Sequence, residues 1–345
     1  MRSVVLAAAL LAASPALAQT VVPSEAYTHP QHLVAVDGGR RLNLFCEGQG
    51  SPVVLFDSGL GDTTVIWRYV QGEVAKTTRA CSYDRAGYGF SDPATAASDV
   101  TGTVDDVHRL LKASGVDAPI VYVGHSIAGL YGVTLQARYP DDVAAEVLVD
   151  PSFSDQFAAM TAGLTPALRA AFSQPQAQGL IDERACLDMA KRGALVTPRT
   201  KAAKACVSTD GMPYPLDEVL ERTQARENGN PAYLAANISE ISSAMPDAQM
   251  GSIDKSEVEA AHPSFGDKPL IILTHSVGLV VPGLTPEQDH GIDAAWMAGH
   301  DTLAALSTRG SNTLVPDSHH YIQIDQPKAV IAAVQQAVAM VRASR

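Results

Sequence analysis

Ile120-Val121-Tyr122-Val123-Gly124-His125-Ser126-Ile127-Ala128-Gly129 is the stretch on which the reading of this chain turns. Apolar, β-prone residues run into a turn of small residues that carries a serine, and a helical pattern follows until Pro140. Such a tight turn lifts the Ser126 hydroxyl to the carboxyl end of its strand, and small neighbours keep other side chains from colliding with it. The competing reading is an ordinary strand-to-helix turn with Ser126 as an N-cap. The flanking sequence has to decide between them.

Upstream, Val34 to Val36, Arg41 to Cys46, Val53 to Phe56 and Arg79 to Tyr83 read as strands. After Ser98, a candidate N-cap, Val100, Val104, Val107, Leu110 and Leu111 recur at helical spacing until Ser114-Gly115. A further strand is expected from about Ala145 to Val149. This alternation predicts an α/β fold with a mostly parallel central sheet covered by helices on both faces. From about Ser154 to Pro263 the strand signal stops. Patterns such as Leu216, Val219, Leu220 and Leu234, Ile238, Ile241, Met245 read as several helices instead. Strands return with Pro269 to Thr274 and Asn312 to Val315, and an amphipathic helix from Pro327 to about Arg342 closes the chain. The predicted organisation is a core formed by residues 19–153 and 266–345, split by a helical cap at 154–265.

The 345 residues are 46% hydrophobic and 18% charged, which suits a globular chain with a sizeable core. Acidic residues outnumber basic ones 37 to 25, and the formal charge of -12 repels phosphates, so nucleic-acid binding is not expected. Residues 1–18 have the plan of a signal peptide: Arg2, an apolar run from Val4 to about Ala13, and Ala16-Leu17-Ala18 before Gln19. Cleavage is expected after Ala18, giving an exported protein, periplasmic or secreted. The run falls short of the roughly 20 apolar residues of a spanning helix, so no stable membrane insertion is expected. Cys46, Cys81, Cys186 and Cys206 all lie in the mature chain, and an even count in an exported protein points to two disulfides. Their spacings match no zinc or redox motif. His290 and His300 lack any H-E-x-x-H or paired-carboxylate context, so no metal is expected.

Three further segments bear on Ser126. Val53-Val54-Leu55-Phe56-Asp57-Ser58-Gly59-Leu60-Gly61 is a strand that ends in a glycine turn, and Ser82 to Asp92 reads D-x-x-G-x-G-x-S from Asp84 to Ser91. Asp317-Ser318-His319-His320-Tyr321-Ile322 runs on to Pro327 after the last strand. Together, in this order, the four motifs resemble those of the α/β-hydrolase superfamily, apart from Ala128 standing at the last position of G-x-S-x-G with Gly129 next to it, and Ser58 where the family's glycine loop often has His. The resemblance implies Ser126 as nucleophile, His320 rather than His319 as base, and the backbone N–H groups of Leu60 and Ile127 as an oxyanion hole. The acid implied is Asp150, directly after a strand, with Asp289 and Asp293 in the excursion before Trp296 as competitors. A haloalkane dehalogenase would carry Asp where Ser126 stands. The superfamily's strand order would place Cys46 beside Cys81, with Cys186 and Cys206 closing a loop in the cap.

The function so implied is that of an exported serine hydrolase cleaving a small carboxylic ester or related acyl compound, with no cofactor and a small-molecule acyl substrate as partner. An aminopeptidase similar to proline iminopeptidases is the alternative enzyme. It would need cap acids to hold an ammonium group, for which Asp182, Glu183, Asp217, Glu218 and Glu221 are the candidates. A non-catalytic binding protein on the same fold is the alternative from another class.

Overall fold

A computed structural model describes residues 19–116, 118–246, 251–278 and 280–344. The expected signal peptide, residues 1–18, lies outside the described residues. Eight β-prone runs become β1 (Leu33–Asp37), β2 (Arg40–Glu47), β3 (Val54–Asp57), β4 (Ala80–Tyr83), β5 (Ile120–His125), β6 (Val143–Val149), β7 (Leu270–His275) and β8 (Gly310–Val315). They form one sheet in the order β1-β2-β4-β3-β5-β6-β7-β8. The β1–β2 and β2–β4 pairs are antiparallel and the other pairs parallel.

Successive strand residues face opposite sides of a sheet, and both sides are covered here. Leu55, Tyr122, Leu148 and Ile272 pack on one face with α2 (Val100–Ser114) and α3 (Ala128–Arg138). On the other face Val54, Phe56, Val121, Val123, Val147 and Val149 pack with α12 (Pro327–Ala343), while the short α1 (Gln71–Val74) lies against β4. This double coverage explains why the central strands read as continuous apolar runs rather than alternating ones. The N-cap of α2 is Asp99, whose carboxylate accepts from the Gly102 N–H, one residue later than the Ser98 expected. Gly115 ends that helix in the left-handed conformation, as its sequence predicts.

Between β6 and β7 the chain forms α4 (Gln156–Thr161), α5 (Pro166–Lys191), α6 (Lys201–Cys206), α7 (Glu218–Asn228), α8 (Pro231–Ala244) and α9 (Ile253–Ala261). The expected apolar stripe on α8 meets its buried face only at Leu234. Tyr233, Leu234, Ala236, Asn237, Glu240 and Ser243 are buried, whereas Ile238 and Ile241 are only half-buried. The excursion after β7 is a nineteen-residue helix, α10 (Pro286–Ala304), opened by a Thr285 and Gln288 capping box. A short α11 (Ile322–Asp325) precedes α12.

Cys46 bonds Cys81 directly across the β2–β4 register, and Cys186 on α5 bonds Cys206 on α6, the two pairs implied by the resemblance. Among the described residues no helix is long and apolar enough to cross a membrane.

Candidate active site

Sheet register gathers the candidate groups at one edge. His125 pairs with Val149 across β5 and β6, so Ser126 and Asp150 each stand one residue past neighbouring strands. Asp57 pairs with Gly124, which sets the Ser58–Leu60 turn beside the turn at Ser126, and β7 ends at His275 next to them. Ser126 and Asp150 both adopt left-handed φ, 56° and 47°. For non-glycine residues this conformation costs about 1–3 kcal/mol and persists only where the surroundings hold it. Here the Ser126 N–H donates to Val149 O at 3.2 Å, and Ser126 O accepts from the N–H groups of Gly129 and Ser152. The Ala128-Gly129 departure from G-x-S-x-G has a packing reason: a Cβ on Gly129 would stand 2.4 Å from Pro151 Cβ, in the segment that follows Asp150.

Ser126, His320 and Asp150 lie in one chain of hydrogen bonds. His320 Nδ1 is 2.5 Å from Asp150 Oδ2, and His320 Nε2 is 2.9 Å from Ser126 Oγ. An ionised carboxylate only accepts, so the Nδ1–H of His320 donates to Asp150, and Nε2 keeps its lone pair for the Ser126 hydroxyl proton. His319 is exposed and turned instead to Asp325. Asp289 accepts from the Val281 N–H, and Asp293 lies against Gly278. Among the described residues neither bonds His320.

Asp150 is fully buried and surrounded by donors that were not singled out from the sequence. The Nδ1–H of His275 reaches Oδ2 at 2.7 Å, while the His275 backbone N–H and Trp296 Nε1–H reach Oδ1 at 3.2 and 3.0 Å. Burial opposes charge on this carboxyl, yet the hydrogen bonds and the charges of His275 and His320 hold it well below the usual carboxylate range. Burial lowers the basicity of His275, but Asp150 and Asp293 outweigh it and raise that imidazole above its ordinary value. His300, on α10, is a packing histidine: it is buried and donates through Nε2 to Pro151 O.

The ligand atoms of Asp150, His275 and His320 lie within 4.8 Å of one another, a spacing open to a metal ion. Both rings, however, present Nδ1–H protons to the same carboxylate oxygen, where a metal would need lone pairs. His125 packs against His320, with ring centroids 4.7 Å apart. Its Nε2–H donates to the His320 carbonyl at 3.0 Å, and burial, then the His320 charge, push its imidazole down to about 3, so it stays neutral.

Two cavities meet at Ser126 and share Ser152, Gln156, Phe157 and Gln176. The smaller, about 290 Å³, is lined by Leu60 and Ile127, and also by Glu183 and Lys255. The larger, about 660 Å³, holds His275, Trp296 and His320 at its base, with apolar walls from Met160, Phe172 and Ile292. Of the five acids considered for an ammonium group, Glu183 lines the smaller cavity, while Asp182, Asp217, Glu218 and Glu221 are exposed.

A family model described as alpha/beta hydrolase fold matches residues 52–179, a span that includes Ser126 and Asp150 and stops short of His320. The 2-(acetamidomethylene)succinate hydrolase of Mesorhizobium japonicum is 29% identical over 116 residues, 33% of this chain and 41% of that protein. The chain spans less than half the length of the curated relatives it matches, from 15% to 43%. Among solved structures, wild-type DBJA has a TM-score of 0.62 at 18% identity, covering 92% of this chain and 99% of its own. Est816, described as an N-acyl homoserine lactone degrading enzyme, has a TM-score of 0.54 at 18% identity, covering 88% and 99%. At such identities the likeness is one of fold.

Proposed function

We propose that this chain, which belongs to the α/β-hydrolase superfamily, is an exported serine hydrolase that cleaves small carboxylic esters through an acyl-enzyme. The observation that carries the reading is the hydrogen-bond chain from Asp150 through His320 to Ser126. Ser126 Oγ attacks the acyl carbon as its proton passes to His320 Nε2, and the imidazolium is stabilised by the buried Asp150 carboxylate. The N–H groups of Leu60 and Ile127 hold the oxyanion. His320 then protonates the departing alkoxide, and water, deprotonated by the same ring, releases the acid.

The two cavities divide the substrate. Since His320 delivers the proton to the leaving oxygen and lines the larger cavity, the alcohol occupies that apolar space, and the acyl group lies toward Leu60 and Ile127. Two disulfides support an oxidising compartment and hence export. An aminopeptidase reading has one observation in its favour, the Glu183 carboxylate in the smaller cavity, but one side-chain oxygen of Glu183 is already held by Asn237 Nδ2 at 2.7 Å.

The test is a panel of p-nitrophenyl esters of graded acyl length, simple lactones and amino-acid arylamides, assayed without added metal. Esters are expected to be the best substrates, with Ser126→Ala folded and inactive. Activity surviving Ser126→Ala overturns the reading, and arylamides outperforming every ester transfers it to the aminopeptidase.

A further inference from the structure

The loop Asp84 to Ser91 serves the fold through Asp84, whose buried carboxylate accepts from Asn43 Nδ2 and the Thr64 and Phe90 N–H groups. Its neighbour Arg85 does something else. Arg85 is buried, and all five of its N–H groups are used. Nε and Nη2 grip Glu240 on α8 at 2.7 and 3.0 Å, and Nη1 reaches Asp57 at 3.0 Å. The two remaining donors bind backbone carbonyls, Ser58 O at 2.6 Å and Gly59 O at 2.8 Å.

The Gly59 carbonyl belongs to the same peptide unit as the Leu60 N–H. That unit is planar and trans, so fixing the C=O toward Arg85 fixes the N–H to point the opposite way, and Leu60 and Ser126 line a common cavity. Gly59 O also accepts from the Asp62 N–H at 3.1 Å, a second bond on the same carbonyl, and Tyr233 on α8 donates to Gly61 O, two residues further along the turn, at 3.1 Å. The Gly59 Cα itself is confined, because a Cβ there would stand 2.7 Å from both His125 Nδ1 and Asp62 Oδ2. The charge-assisted hydrogen bond from the guanidinium also draws electron density from the peptide and makes its N–H a stronger donor.

We propose that Arg85, clamped by Glu240, is a positioning residue for the oxyanion hole: it orients and polarises the Gly59–Leu60 peptide and so couples the inserted helix α8 to the reacting centre. The proposal rests on the ester-hydrolase reading above. It gives a role to the polar buried face of α8, where Glu240 and Tyr233 both address the same turn.

Arg85→Lys keeps the charge beside Asp57 and Glu240 but has no planar fork to reach two successive carbonyls. Glu240→Gln keeps the shape and weakens the clamp, and it decides the matter if Arg85→Lys does not fold. Each variant is assayed for kcat and KM on the best p-nitrophenyl ester. Inhibition is measured for the product alcohol and for a trifluoromethyl ketone of matching acyl group. In forming the hemiketal, Ser126 Oγ bonds to the ketone carbon, its proton moves to His320, and the carbonyl electron pair becomes the oxyanion. Arg85→Lys is expected to lower kcat on the order of 10- to 100-fold, below the loss of a whole oxyanion donor. KM should stay within about threefold, the ketone Ki should rise by the same factor as kcat falls, and alcohol binding should not change. For Glu240→Gln a parallel loss of about three- to tenfold is expected. Folded variants that keep kcat within twofold, or that lose alcohol and ketone affinity equally, overturn the proposal while leaving the functional reading in place. A parent that hydrolyses no ester overturns both.

Discussion

Replacing Asp150 by Asn removes one charge and exchanges an acceptor for a donor at the centre of the site. The side-chain oxygen of Asn can stay where Oδ1 accepts from Trp296 and the His275 N–H, which leaves the amide NH₂ facing the Nδ1 atoms of His320 and His275. His320 must then carry its proton on Nε2, and the atom that should take the Ser126 proton becomes a donor. A wrong imidazole tautomer costs about 10⁴ in kcat, or ~5.4 kcal/mol of transition-state stabilisation. Substrate contacts are untouched, so KM should stay within about threefold. The assay is steady-state hydrolysis of a p-nitrophenyl ester, with near-UV circular dichroism to show that the variant is folded. Asp289→Asn and Asp293→Asn are the controls, expected to retain turnover within a few-fold of the parent. Near-parent turnover in a folded Asp150→Asn, or a collapse in Asp293→Asn of the same size, would refute the assignment.

Two further outcomes follow from neighbouring groups. Protonated His275 shares Asp150 Oδ2 with His320 and is held there by the carboxylate; His275→Gln exchanges that ion pair for a neutral contact. Because the pKa of His275 is raised on folding, its stabilising share is present below about pH 6.5 and is lost as pH rises through the folded value, so the Tm of His275→Gln should fall furthest below the parent's in acid, and a Tm difference that does not change with pH sinks this reading. Replacing both Cys186 and Cys206 by Ser removes a link across 20 residues of sequence and should cost about 3 kcal/mol in urea unfolding, while a loss below ~0.5 kcal/mol would show that the bridge contributes little.

The parts of the site that could be read from the sequence were those that a single segment carries. Ser126 stands between an apolar strand and a helix, Asp150 directly ends a strand, and His320 precedes Tyr321-Ile322 and a proline, so the resemblance to the family's motifs could single each out, with Asp289 and Asp293 left as competitors for the acid. His275 also ends a strand and was visible there, but only the β6–β7 pairing shows that it shares a carboxylate with His320. Trp296 depended on α10. Thr285, Pro286 and Gln288 carry a start signal, a capping box with proline at the first turn, but the apolar periodicity that should follow it is weak. Glu240 lies 155 residues from Arg85, on a helix whose apolar periodicity points toward Ile238 and Ile241, which are only half-buried. Its face toward the core is partly polar because it docks on a buried guanidinium, and no local periodicity encodes that.

The central claim is that Ser126 forms a covalent acyl-enzyme. Incubation with a fluorophosphonate ester, followed by intact mass measurement and peptide mapping, tests it without knowledge of the natural substrate. One adduct per chain is expected, located on Ser126, slowed by orders of magnitude in Asp150→Asn and absent in Ser126→Ala. An unlabelled parent, or an adduct on another residue that persists in Ser126→Ala, would contradict it.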